Sequence, residues 1–475
     1  MQPTNLRFGG GVPYTVLNPV VAVAVLIAGT LICCLPRNKA IVPFLVASIL
    51  IPTDQILLVG SLHFSMQRIL ILFGLIRLFR TKAASQCRLF NGGMNKIDVA
   101  IIAMEVFLAL GAVLLWQQSA ALIYQVGELY TVFGTYFLLR FFIRDQEDIE
   151  RAIRAFAYIA AAVAVVMIYE QAKGWNPYVL LEGARAPGYV SAMVRNGRFR
   201  AEGCFAQPVL AGTFGAIVLP LFVGLRWTKR KHPGTAMLGI AAATAIVIAS
   251  NSSTPVLAYL AGLLGLLMWS LRKQMRLIRW GIVFSLVSLH LVMKSPVWHL
   301  ITRVDISGGS SSYHRYQLVD RFIRHFSDWW LVGTKSNAAW GWDMWDTANQ
   351  YVGIGERSGL IPFILFLAII VLGFKYLGKA RRVATKKKEA LFLWSLSAAL
   401  FANVVAFFGI SYFDQTTVAW YALLAVISTA AGSRHNEKAT LPQFQTTGES
   451  PTPPPDFAPQ DTCIPDGSIY ALDES

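Results

Sequence analysis

The chain has 475 residues, 55% of them apolar and only 14% charged, and its mean hydropathy of +0.51 is too high for a surface that meets water throughout. That balance excludes a soluble globular enzyme. The formal net charge of +16 falls in short runs between apolar stretches, a distribution that fits anionic lipid headgroups as partners, with no nucleic acid.

In chain order the apolar runs predict helices near 14–35, 40–60, 64–80, 98–116, 121–142, 153–170, 203–225, 236–250, 254–271, 279–294, 358–375, 389–410 and 416–432. Many approach the roughly 20 residues that cross a hydrocarbon core of about 30 Å. Segments such as Phe363 to Leu372 are apolar on every face, unlike the alternating strands of a barrel. Pro52, Thr53 and Asp54 interrupt the second run, so that span is expected to end early or break. The fold class expected is an all-α polytopic integral membrane protein of about 12–13 transmembrane helices.

Lys and Arg concentrate in loops that stay cytoplasmic. Arg226 with Lys229, Arg230 and Lys231, then Arg272 with Lys273, Arg276 and Arg279, then Lys379 through Lys388 all fall on one side, and so does Arg77 to Lys96. The opposite face receives two long connections, about 171–202 and 295–357, rich in Trp and Tyr, while most other connections are turn-sized. Long loops in a compact protein tend to carry function. Residues 1–432 are thus read as the transmembrane domain and 433–475, with proline nearly continuous from Pro451 to Pro455, as a disordered cytoplasmic tail. Met1 to Pro13 lacks the pattern of a cleaved signal, and thirteen spans put the N-terminus outside.

Cys33, Cys34, Cys87, Cys204 and Cys463 show no metal-ligand spacing, the seven histidines are scattered, and no phosphate-cradling glycine loop is found. Metal: none and cofactor: none is the expectation. The loops carry the patterned polar residues. Arg198 and Arg200 flank Phe199 just before a helix, where two forked cations and a positive helix end suit a phosphate; snorkelling to headgroups is the competing role. Tyr313, His314, Arg315 and Tyr316 open a predicted amphipathic helix along the membrane surface, with Leu318, Val319, Phe322, Ile323, Phe326 and Trp330 at helical spacing. Beyond it, Trp340, Trp342, Asp343, Trp345, Asp346, Asn349, Gln350 and Tyr351 interleave aromatics with polar groups, as sugar binding requires and as interfacial anchoring also produces.

These residues resemble the O-antigen ligase and O-antigen polymerase superfamily of bacterial envelope glycosyltransferases, over roughly residues 100–430. Arg200, Gly203, Phe205, Pro208 and Ala211 look like its arginine, glycine, aromatic, proline signature; Ser250 to Thr254 occupies the turn of its serine-rich motif; Arg315 followed by Gly333 resembles its catalytic-loop arginine and glycine. Asn349, with nine residues before Gly359, resembles the ligase pattern, but Ala348 replaces the ligase histidine and Pro362 the final small residue. A polymerase or exopolysaccharide-type relative therefore fits better than a ligase.

The resemblance implies a GT-C-like fold with a long, partly helical periplasmic loop in the bacterial inner membrane. It implies metal-independent transfer of an undecaprenyl-diphosphate-linked glycan, with membrane lipid and a chain-length regulator of the export pathway as further partners. Arg315 and Arg200 would stabilise the departing diphosphate, with Arg198 in support. Asp346 is the first candidate base and Glu356 the second, while Asp343, Trp345, Asn349 and Tyr351 would contact substrate. On a helix, Asp343, Asp346 and Asn349 would share one face. Two other classes stay open: a lipid-linked sugar transporter or flippase using intramembrane Arg68 and Arg140, and a non-catalytic scaffold of envelope assembly.

Overall fold

Side chains that are apolar all round a helix need hydrocarbon or another helix against them. The computed structural model describes residues 14–60, 62–84, 90, 92–181, 194–195, 197–228, 232–303 and 311–439, and about three quarters of these are helical. Cys87, Arg88, Asn196, Lys229 to Lys231, Met1 to Pro13 and the proline-rich tail with Cys463 lie outside the described residues.

The helices are α1 (Pro19–Cys34), α2 (Arg37–Leu50), α3 (Met66–Ala84), α4 (Lys96–Trp116), α5 (Ser119–Phe142), α6 (Gln146–Lys173), α7 (Pro208–Gly224), α8 (Pro233–Ala249), α9 (Ser253–Leu267), α10 (Met275–Val292), α11 (Ser311–Arg324), α12 (Phe326–Trp329), α13 (Gln350–Ser358), α14 (Leu360–Val383), α15 (Lys387–Ala406) and α16 (Asp414–Ala439). Two hairpins accompany them: β1 (Ile56–Val59) with β2 (Leu62–Ser65), and β3 (Val194–Arg195) with β4 (Arg198–Phe199), both antiparallel.

Among the described residues, seven helical segments are long and apolar enough to cross a membrane: α4, α6, α7, α9, α10, α14 and α15. The apolar α1 and α8 are shorter. The chain is an all-α multi-pass membrane protein. Its centre is α7, which packs against α8, α9 and α15 and is buried on nearly every face. Gly212 and Gly215 make that approach possible, because a Cβ at either would run into α8 or the turn after it. By contrast α10 has no buried residue.

Polar contacts mark two ends. At one, Arg37 pairs with Asp148 at 3.0 Å, Arg272 lies over Trp269, and Arg381 lies over Trp394. At the other, Asn18 bonds to the Leu180 carbonyl, Arg200 to Ser252, and Thr254 to the Gly409 carbonyl. Helices α1 to α10 and α14 to α16 run alternately between them, and the two long connections join the second end.

The second expected span is shorter than predicted. Pro52 cannot donate the next helical hydrogen bond and holds Ile51 extended, so α2 stops at Leu50 and Ile56–Val59 pairs with Leu62–Ser65 as β1 and β2, to which Val16 adds a bridge with Ile56. The backbone of α16 continues past 432, the boundary assigned to the tail, as far as Ala439.

Both arginines considered for a transporter are partnered. Arg68 donates to Glu128, Thr131 and the His63 carbonyl. Arg140, only 1% exposed, donates to both carboxylate oxygens of the fully buried Asp98, at 3.2 and 3.3 Å, and to Thr429, while Tyr136 donates to Asp98. Removing one member of such a pair leaves an uncompensated charge. Asp98→Leu is expected to lower stability by about 3–5 kcal/mol in detergent thermal unfolding, and Asp98→Leu with Arg140→Leu to recover most of it. An equal loss in the double variant would show that the pair is not the stabilising unit.

Candidate functional site in the loop layer

The first loop returns to the bundle through backbone pairing. Arg195 and Arg198 pair across the β3–β4 turn, where Gly197 takes φ 72°. The following strap is pinned on two sides: Glu170 at the end of α6 accepts from the amides of Glu202 and Gly203 at 3.1 and 2.8 Å, and Ala201 donates to the Ala249 carbonyl. Arg200 thereby reaches Ser252 in the α8–α9 turn at 2.8 Å, joining two segments that the sequence places 52 residues apart. Burial lowers the pKa of Arg200, Arg195 lowers it further, and Glu202 opposes both. Arg198 remains exposed on β4.

The second loop forms a small aromatic core of its own. Leu318 and Phe322 on α11 pack with Trp329, Trp340, Met344 and Val352, and Phe322 stacks on Trp329 at 3.9 Å between centroids. The amphipathic helix expected through Trp330 breaks at His325, dividing α11 from α12. Gly333 and Gly359 are cross-packed: both have positive φ, 88° and 92°, and a Cβ on either would strike the backbone of the other's segment. Thr334 donates to the Glu356 carbonyl and Leu360 to that of Trp330, locking this approach.

Residues 341–349 form a turn, which corrects the expectation of a helix bearing Asp343, Asp346 and Asn349 on one face. Gly341 has φ 148° and Asp343 φ 59°, neither helical, and Asn349 is the N-cap of α13, accepting from Tyr351 and Val352. Asn349 is almost fully buried, and the Tyr351 hydroxyl donates to the Val404 carbonyl while its ring meets Phe408 at 4.7 Å. These two side chains hold α13 against the α15–α16 turn.

The turn gathers a polar cluster instead. His314 Nε2 donates to the Asp343 carbonyl at 2.9 Å. Asp346 keeps solvent exposure, yet the protein around it raises its pKa; His314 lowers it, Asp343 raises it and Arg315 lowers it, so all four groups share one electrostatic neighbourhood. Trp342 and Trp345 stand beside them, 92% and 65% exposed.

Behind the turn, Thr347 donates to Glu356 at 3.0 Å, and Asn337 donates to the Met344 carbonyl and, at 3.5 Å, to the Thr347 hydroxyl. Burial pushes the Glu356 carboxyl up to about 7 against the opposing pull of Thr347, Arg357 and Asn337. His314, Asn337 and Thr347 are site members that the site reading from sequence missed. His314, next to Arg315 on a loop helix, carried a usable signal, whereas Asn337 and Thr347 gain importance only through the fold.

Because the folded pKa of Glu356 lies above its ordinary value of 4.5, the unfolded chain releases this proton first, and stability falls as pH rises from about 4.5 through about 7. The expected slope is of order 1 kcal/mol per pH unit or less. Glu356→Gln should flatten the melting temperature between pH 5 and pH 7.5, as read by unfolding in detergent against pH. An unchanged slope would assign it to another group.

Neither a protein-family model nor a curated protein matches the chain, so its functional reading rests on the residues of this loop layer.

Proposed function

We propose that the chain is a metal-independent glycosyltransferase of the O-antigen polymerase and ligase type, with polymerase the better fit, acting on undecaprenyl-diphosphate-linked oligosaccharide at the periplasmic face of a bacterial inner membrane. The Lys- and Arg-rich end is then cytoplasmic, and the fold is GT-C-like.

The observation that carries this reading is the gathering of Arg315, His314, Asp343 and Asp346 in one loop neighbourhood, beside exposed Trp342 and Trp345. Lipid-diphosphate transfer needs cations for a leaving group, acids for a sugar hydroxyl and flat faces for pyranose rings. In the proposed step the acceptor oxygen attacks the anomeric carbon of the donor, and the anomeric carbon–oxygen bond to the diphosphate breaks. Diphosphate leaves with the electron pair, held by Arg315 with Arg200 and Arg198 supporting. The acceptor's proton passes to Asp346, or to Glu356, whose titration near 7 suits a base at neutral pH. Asp343 and Trp345 orient the sugar, while Asn349 and Tyr351 act through the position of α13. A transporter would instead use groups deep in the bundle, but Arg140 is engaged there with Asp98, and Arg68 pairs with the partly exposed Glu128 near the loop end.

Purified protein mixed with an undecaprenyl-diphosphate oligosaccharide should yield a ladder of repeat multiples on gels and by mass. Arg315→Ala should reduce product by about a hundredfold or more at unchanged protein yield. Full activity of Arg315→Ala would remove its catalytic role; a folded parent protein that makes no product from lipid-linked donors would favour the transporter or scaffold.

A further inference from the structure

An apolar groove of about 940 Å³ lies between α1 and α2, with Val166 of α6 also lining it. Small side chains create it: Ala24 and Ala28 on α1 face Ala47 on α2, and Pro43 adds a ring without an amide donor. Its wall on α1 extends from Val20 to Leu31 and on to Leu35, about 22 Å at the helical rise, most of the depth of a hydrocarbon core. Val20 and Ile27 are 64% and 56% exposed along this wall, so the groove opens sideways to the bilayer.

Its two ends differ. At the loop end the 3-10 turn Pro177–Leu181 forms a roof, tied to α1 by Asn18 donating to the Leu180 carbonyl at 3.1 Å and to the segment after α2 by Gln55 donating to the Leu181 carbonyl at 2.6 Å. At the opposite end stands Lys39, the one charged side chain lining the groove among the described residues.

We propose that this groove is a lipid-binding site that seats one acyl chain of an anionic phospholipid, with the phosphate at Lys39 and the chain running towards the roof. The charge distribution selects this occupant: hydrocarbon length is offered along the walls, Lys39 is the one charged lining side chain among the described residues, and the roofed end, lined by Pro177, Tyr178 and Leu181, carries no charge. The roof turn continues through Asn176, which donates to the Gly203 carbonyl at 2.8 Å, into the strap that carries Arg200. A seated chain therefore supports the base of that strap. The assignment of the lipid itself rests on the groove and Lys39, whatever reaction the strap serves.

The test uses full-length protein in nanodiscs of phosphatidylglycerol and phosphatidylethanolamine with a minor share of polyisoprenyl phosphate, followed by extraction and native mass spectrometry. The expected result is one firmly retained phosphatidylglycerol. Val46→Trp and, on the opposite wall, Ala24→Trp fill the groove and should each lower that retention about tenfold, the loss of roughly two methylene burials, at unchanged melting temperature. Lys39→Glu should cut the preference for phosphatidylglycerol over phosphatidylethanolamine about fivefold. Undiminished retention in whichever groove-filled variant folds, or retention of polyisoprenyl phosphate in place of phosphatidylglycerol, overturns the proposal.

Discussion

Arg140 lies inside the bundle with its guanidinium divided among Asp98, Thr429 and the Gly93 carbonyl, because hydrocarbon supplies no hydrogen-bond partner and every polar group at that depth must find one in the protein. The same demand explains why the chain is helical wherever it runs between the two ends, and why its strands are confined to short hairpins in the loop layer. Polar side chains that are not consumed in this way collect at both ends, where water can share in their solvation, and those of the two long connections collect at the loop end.

That end is held together across large sequence separations. Arg200 bonds to Ser252, Thr254 to the Gly409 carbonyl, Ser411 to the Thr347 carbonyl, and Thr347 to Glu356. Two loops more than a hundred residues apart thus stand on one floor made by the α8–α9 and α15–α16 turns. The cross-packing of Gly333 and Gly359 adds a steric lock, since neither position tolerates a Cβ without displacing backbone. Capped helices and buried aromatic contacts such as Phe407 with Tyr412, whose hydroxyl donates to Asn403, pack the floor from beneath.

Much of this could be read from the amino-acid order. Apolar runs located the helices because hydrocarbon imposes a composition on whatever crosses it, and the cations marked one end for the same reason. Arg200 at the mouth of α7 and the amphipathic spacing of α11 were likewise visible. Local chemistry that depends on one or two dihedrals was not. Residues 56–65 are apolar enough to continue a helix, and Pro52 shows where α2 fails but not that a hairpin replaces it. The spacing of Asp343, Asp346 and Asn349 suits a helical face, yet Gly341 and the left-handed Asp343 bend the chain, and Asn349 spends its side chain as a cap. Thr347 matters through its bond to Glu356, and Asn337 through its bonds to Met344 and Thr347, contacts that no linear pattern encodes.

The exposed helix α10 has a mechanical consequence. A bundle that crosses layers of different thickness must accommodate hydrophobic mismatch, usually by tilting its helices, and tilting a helix embedded among neighbours disturbs many contacts. With no buried residue of its own, α10 adjusts its angle without repacking α7 and its partners. Membranes of unequal thickness would then be met by the periphery, while the distances on the floor beneath Arg200 and Glu356 stay fixed.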